Sequence, residues 1–199
     1  MPQNKPFAIA ITGNIGSGKS SFCNYLRQYG QRVLSADDVA NEILFDLPEL
    51  WRQRWGDRVF CDGRLDKQAI SEIVFHDEKE LEYLNSEIHP RVRQRFTEEL
   101  IKSDEDALYF EIPLLFEAGL EAYFDYLVLV TAPRSVVLKR LEERNPGQLE
   151  NLKLRLDKQL PDAEKAARVD LVIDNSQDLS QLKNEAKKLI ENIPNIRLG

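Results

Sequence analysis

Cysteine and histidine are scarce, two of each in 199 residues. Cys23 and Cys61 are too few to staple a fold or to complete a four-ligand zinc site alone. Both read as small buried or half-buried groups in a reducing compartment. No apolar run approaches the ~20 residues that span a bilayer. The N-terminal run Phe7-Ala-Ile-Ala-Ile11 is too short for a secretory segment and leads into glycines, not a cleavage site. A basic excess is missing as well: 27 Lys and Arg face 34 Asp and Glu, a formal net charge of −7. A general nucleic-acid binder would carry the opposite balance. Internal repeats and low-complexity stretches are absent. These absences leave a soluble, cytoplasmic, untargeted protein with neither nucleic-acid nor membrane partners.

What is present suffices for a core. Apolar residues make up 42% and charged residues 31% of the chain. The length suits one compact domain with a small insertion, because single cores stop growing only at roughly 250–300 residues. Five short runs read as strands: Phe7 to Thr12, Val33-Leu34, Ala107 to Ile112, Tyr126 to Val130 and Leu171 to Ile173. Helical patterns separate nearly all of them, which predicts an α/β fold with a parallel five-stranded sheet flanked by helices. Between Asp38 and Ala107 only helical periodicity is seen, with Asp77 and Glu80 spaced as a capping box and Pro90 placed to open a helix after His89. Such an insertion predicts a helical subdomain near the carboxyl ends of the strands, where ligands bind in these folds. The last helix carries Leu179, Leu182, Ala186, Leu189 and Ile190 as a stripe facing the sheet.

The strongest motif is Gly13-Asn14-Ile15-Gly16-Ser17-Gly18-Lys19-Ser20, between a buried strand and a helix. Its glycines let backbone N–H groups close around a phosphate chain, and the helix presents its positive end there. Lys19 is expected to reach the β- and γ-phosphates and the Ser20 hydroxyl to hold Mg²⁺. No N-K-x-D base reader and no D-x-x-G element occurs, which argues against a GTPase switch. A motor ATPase normally needs a longer chain. Small-molecule phosphoryl transfer is left.

Such transfer needs a carboxylate to orient the acceptor and cations to meet the moving charge. Asp37, just past the second strand, is the candidate carboxylate, while Asp38 is expected to cap a helix starting at Val39. Glu111, ending the third strand, is a candidate acid for the waters of Mg²⁺, with a solvent-exposed strand end as the alternative. The segment from Thr131 to Arg168 holds nine Lys and Arg against six acids. Within it Arg140 and Arg144 lie one turn apart before the breaker Asn145-Pro-Gly147, a pattern suited to a lid over about residues 140–160. Ion pairing with Glu142 or Glu143 is the plainer alternative. Trp51 and Trp55 read as a packed pair, and His76 as a solvated helix end.

These residues together resemble one family. The loop GNIGSGKS, S-A-D-D around Asp37, I-H-P at Ile88 to Pro90 and E-I-P-L-L-F-E at Glu111 to Glu117 stand in the order and spacing of dephospho-CoA kinases. So do R-L-x-x-Q (Arg155 to Gln159) and V-I-D-N (Val172 to Asn175), and the resemblance runs from Ile9 to the last helix. It implies a P-loop NTPase-type fold and ATP-dependent phosphorylation of the ribose 3′-hydroxyl of 3′-dephospho-CoA, as a monomer or weakly associating protein. It implies that Gly16 to Ser21 (Ser21 included) hold the ATP phosphates and that Asp37 is the catalytic carboxylate. Arg140 corresponds to a lid arginine, and Pro133 and Asn175 fall where the family borders adenine. A helical subdomain over about residues 62–102, with His89, corresponds to the acceptor-binding part, beside Leu115 and Glu117; helical spacing puts Arg91 and Arg95 on one face as candidates for the acceptor's phosphates. The chain departs at Ser35-Ala36-Asp37, where the family usually has Asp-Ala-Asp. Another small-molecule kinase, of the shikimate or nucleoside-monophosphate type, or a catalytically weak nucleotide-binding module, are the alternatives.

Overall fold

The computed structural model describes residues 5–177 and 179–197. Its strands are β1 (Phe7–Thr12), β2 (Val33–Ser35), β3 (Phe60–Cys61), β4 (Arg64–Leu65), β5 (Ala107–Glu111), β6 (Tyr126–Thr131) and β7 (Leu171–Asp174). The helices are α1 (Lys19–Gln28), α2 (Ala36–Asp46), α3 (Pro48–Trp55), α4 (Lys67–His76) and α5 (Glu78–Lys102), then α6 (Arg134–Arg144), α7 (Leu149–Asp157), α8 (Asp162–Ala166) and α9 (Leu179–Ile196). Five strands form one sheet in the order β2-β5-β1-β6-β7, every pairing parallel. The continuous apolar runs of β1 and β5 follow from this, since strands covered by helices on both faces have no polar side.

The chain divides into two compact units, Met1–Ser35 with Leu100–Gly199, and Ala36–Glu99. In the first, Phe22, Cys23 and Leu26 of α1 and Leu182, Ala186 and Leu189 of α9 close one sheet face over Ile9, Ile11, Tyr109, Val128 and Val130. Each fully buried side chain of this size contributes about 1.5–3 kcal/mol. Ile190 packs at the edge of this core, and the Leu179 side chain lies outside the described residues. A smaller cluster joins Val137 and Leu141 of α6 to Leu152 and Leu156 of α7, with Ile15 against it. The break between these helices falls at Asn145-Pro-Gly147, with Gly147 at φ +81°.

The second unit has its own core. Trp51 and Trp55 stack at 5.4 Å between centroids, and Tyr83 meets both edge-on. Trp51 Nε1 donates to the Leu44 carbonyl at 2.7 Å. Glu80 accepts from Trp55 Nε1 at 2.8 Å and from both Arg54 nitrogens, Nε at 2.9 Å and Nη2 at 2.8 Å. Asp77 accepts from the Lys79 and Glu80 N–H groups, so half of the capping box forms; the Glu80 carboxylate is held by the aromatic cluster instead. Asp66 caps α4 through the Gln68 and Ala69 N–H groups.

Three expectations are corrected here. Residues 60–65 form the hairpin β3–β4, too short at two residues a strand to show an alternating pattern. Pro90 lies inside α5 and does not open a helix; twelve preceding residues carry the helix past the one N–H it lacks. Finally, α2 starts at Ala36, so Asp38 is not its cap. Asp37 and Asp38 both stand in its first turn, where the helix dipole favours acids, and Ser35 occupies the position before it.

Candidate active site

The carboxyl end of β1 turns into the loop of residues 13–18, and α1 begins at Lys19. Two loop positions admit only glycine. A Cβ on Gly13 would stand 2.3 Å from the Val130 carbonyl oxygen, and one on Gly18 would stand 2.0 Å from Asn175 Nδ2. Gly18 also holds φ +96°, a left-handed conformation that starts α1. The first half of the loop is tied down by side chains far along the chain. Asn14 Nδ2 donates to the Leu160 carbonyl at 3.1 Å and to Asp162 Oδ1 at 2.8 Å, and Lys165 Nζ donates to Asn14 Oδ1 at 2.7 Å. The Ile15 N–H donates to Gln159 Oε1 at 2.9 Å. The second half is held at Ser17, whose carbonyl accepts from Asn175 Nδ2 at 2.7 Å and from Arg140 Nη1 at 3.5 Å.

At the start of α1 the two motif side chains converge on one acid. Lys19 Nζ and Ser20 Oγ donate to Glu111 Oε1 at 2.8 and 2.7 Å, and Arg27 Nη2 lies 3.4 Å from Glu111 Oε2. Glu111 is 7% exposed, which corrects the solvent-exposed alternative for this strand end. Burial alone would raise its pKa, but the Lys19 charge, the Lys19 and Ser20 hydrogen bonds and Arg27 outweigh it and hold the carboxyl below the ordinary value of 4.5. Burial and then the neighbouring Glu111 charge push the Cys23 thiol well up, so it is no nucleophile.

Arg140 Nη2 also donates to the Asn175 carbonyl at 2.9 Å, so this arginine lies along the phosphate loop. The ion pair with Glu143 is made by Lys139, not by Arg140. Arg144 is exposed in the last turn of α6, and Pro133 is exposed just before the helix. Asn175 is 3% exposed, with its amide engaged on Ser17. Glu117 accepts from the Leu160 N–H at 3.0 Å and pairs with Lys165 Nζ at 2.9 Å. Burial opposes, but Lys165 and the backbone donors prevail and lower its pKa. Leu115 is fully buried, while its neighbour Leu114 is exposed.

In the second unit Asp37 is exposed in α2. His89 is exposed on α5, where partial desolvation and the Arg93 charge lower its pKa. Arg91 turns back onto Glu87, taking both its carbonyl and, at 2.8 Å, its carboxylate. No group of three or more His, Cys, Asp or Glu suited to a metal is found among the described residues, and no helix there is long and apolar enough to cross a membrane. Arg27 and Lys165 carried no signal of their own in the sequence, whereas Gln159 was marked by its place in R-L-x-x-Q.

The family model described as dephospho-CoA kinase matches residues 7–181. A curated Dephospho-CoA kinase of Thermus thermophilus is 35% identical over 185 residues, 93% of this chain and 91% of the relative. The solved dephospho-CoA kinase from Campylobacter jejuni superposes with a TM-score of 0.71 at 28% identity, covering 94% of this chain and 96% of that one. Shikimate kinase from Acinetobacter baumannii, at 18% identity and a TM-score of 0.57 over 99% and 97% of the two chains, shares the fold alone.

Proposed function

The chain belongs to the dephospho-CoA kinase family, and from that membership we propose how its own residues carry the reaction. The activity is the ATP-dependent phosphorylation of dephospho-CoA in CoA biosynthesis. In our reading the acceptor is the ribose 3′-hydroxyl. Its oxygen bonds to the γ-phosphorus as the bond to the β–γ bridging oxygen breaks, and ADP leaves.

The observation that carries the assignment of residues is the convergence of Lys19 and Ser20 on Glu111 at the positive end of α1. Residues 13 to 21 bind the phosphates: main-chain N–H groups from Gly16 onward face them, and Lys19 follows the charge onto the moving phosphoryl. Ser20 Oγ would hold Mg²⁺, and Glu111 Oε1, 2.7 Å from that hydroxyl, would accept from the waters of the ion. When bound, Mg²⁺ supplies neutralisation of charge on the β- and γ-phosphates.

Asp37 orients the acceptor hydroxyl and takes its proton. Support comes from its place two residues after Ser35, which is in register with Glu111 on β5. Arg140, already on the loop, stabilises the transferring charge, and Arg144 approaches when the lid of about residues 140–160 closes. Pro133 and Asn175 border the adenine. The helical subdomain of about residues 62–102 takes the acceptor through His89 and Arg91, and Glu117 is assigned to acceptor binding in its own unit. The protein works in the cytoplasm as a monomer or weak homo-oligomer.

Labelled ATP offered with dephospho-CoA, shikimate and nucleoside monophosphates tests the substrate. Fast transfer is expected to dephospho-CoA alone, and equal transfer to any other acceptor would overturn the reading.

A further inference from the structure

Lys165 is fully buried, yet the transfer scheme gives it no task. Its Nζ lies 2.9 Å from Glu117 Oε1 and donates to Asn14 Oδ1 at 2.7 Å. Removing two charges from water costs several kcal/mol per ion, and an apolar side chain of like volume would avoid that cost. Stability alone therefore gives little reason for a lysine here.

Its effect is on Asn14, whose side-chain oxygen accepts from Lys165 while its nitrogen donates to the Leu160 carbonyl and to Asp162. Asp162 is in turn fixed by the Thr131 hydroxyl. The Asn14 carbonyl accepts from the Ser17 N–H at 3.0 Å, closing the first turn of the phosphate loop. A rotation of Asn14 would shift that turn and the N–H groups that follow it.

We propose that Lys165 is a positioning residue: anchored by Glu117, it orients Asn14 and thereby sets the main-chain path of residues 14–17 for ATP. This rests on the reading that the loop holds the ATP phosphates. A shift of the order of 1 Å in such a cradle is enough to weaken what it holds.

The test is direct ATP titration of the full-length protein without acceptor, followed by steady-state kinetics, on Lys165→Met. The Kd and KM for ATP should rise about tenfold while kcat at saturating ATP stays within about threefold of wild type, since binding common to ground and transition state is lost. A merely structural lysine would lower the folded fraction, and with it the apparent kcat, leaving the ATP KM unchanged; that result overturns the proposal. If Lys165→Met does not fold, Lys165→Met with Glu117→Gln leaves no unpaired charge and carries the acceptor-free ATP titration alone, because Glu117 is assigned to the acceptor. Failure of both to fold also overturns it, in favour of a structural role. Lys19→Ala is the control for the underlying reading. If it leaves ATP affinity intact, the loop assignment fails; if it weakens ATP while Lys165→Met does not, only the present inference fails.

Discussion

In the proposed scheme single side chains divide the chemistry between a carboxylate that handles the acceptor and a cation set that handles phosphate. Asp37→Asn keeps shape and hydrogen bonding but removes the base. Turnover should fall roughly 10²–10⁴-fold with ATP affinity nearly unchanged, measured by steady-state kinetics beside nucleotide titration. Unchanged turnover would remove Asp37 from the scheme. Glu111 offers a pH test. Its folded pKa lies below the ordinary 4.5, so its contribution to stability is complete above that value and is lost as pH falls through the folded pKa. Denaturation midpoints between pH 7 and 3 should therefore decline less steeply at the acid end in Glu111→Gln than in wild type. Equal slopes would show that Lys19 and Arg27 do not hold the carboxylate ionised. The residue types were legible: Lys19, Ser20 and Asp37 each occupy positions a motif names. Their partners were not, because Glu111 stands 92 positions from Lys19 and no spacing rule reaches that far.

At the level of elements, the turn from β1 into α1 is where backbone conformation and function meet. Gly18→Ala adds a methyl 2.0 Å from Asn175 Nδ2 at a positive φ. The expected loss is about 1–3 kcal/mol of stability by overpacking, with weakened ATP binding. Urea denaturation reads the first and nucleotide titration the second. Wild-type values for both would mean that the Asn175 contact is not tight. The sequence located this turn well, since a buried strand, glycines and an amphipathic helix are local patterns. It misplaced the start of α2 by three residues, because Asp is a good cap and also a good first-turn residue, and local chemistry does not choose between them. It also missed the β3–β4 hairpin, which owes its pairing to its turn more than to any period.

For the whole molecule, ATP binding should appear as stabilisation. At a free concentration a hundred times Kd, linkage contributes about 2.7 kcal/mol. A chain of this size should then gain roughly 5–10 °C in unfolding midpoint in a thermal melt. Lys19→Ala should show much less gain at the same ATP concentration; an equal gain would place the nucleotide elsewhere. By itself the sequence determined the parallel five-stranded sheet, the phosphate loop at its centre and the family, because these rest on short windows: apolar runs, a glycine pattern, motifs in order. Tertiary structure decided what the loop leans on. Lys165 reaches Asn14 across 151 positions and Asn175 reaches Ser17 across 158, and it is the sheet order that brings them together. A buried lysine and an exposed one are the same letter, and only folding takes the water from one of them.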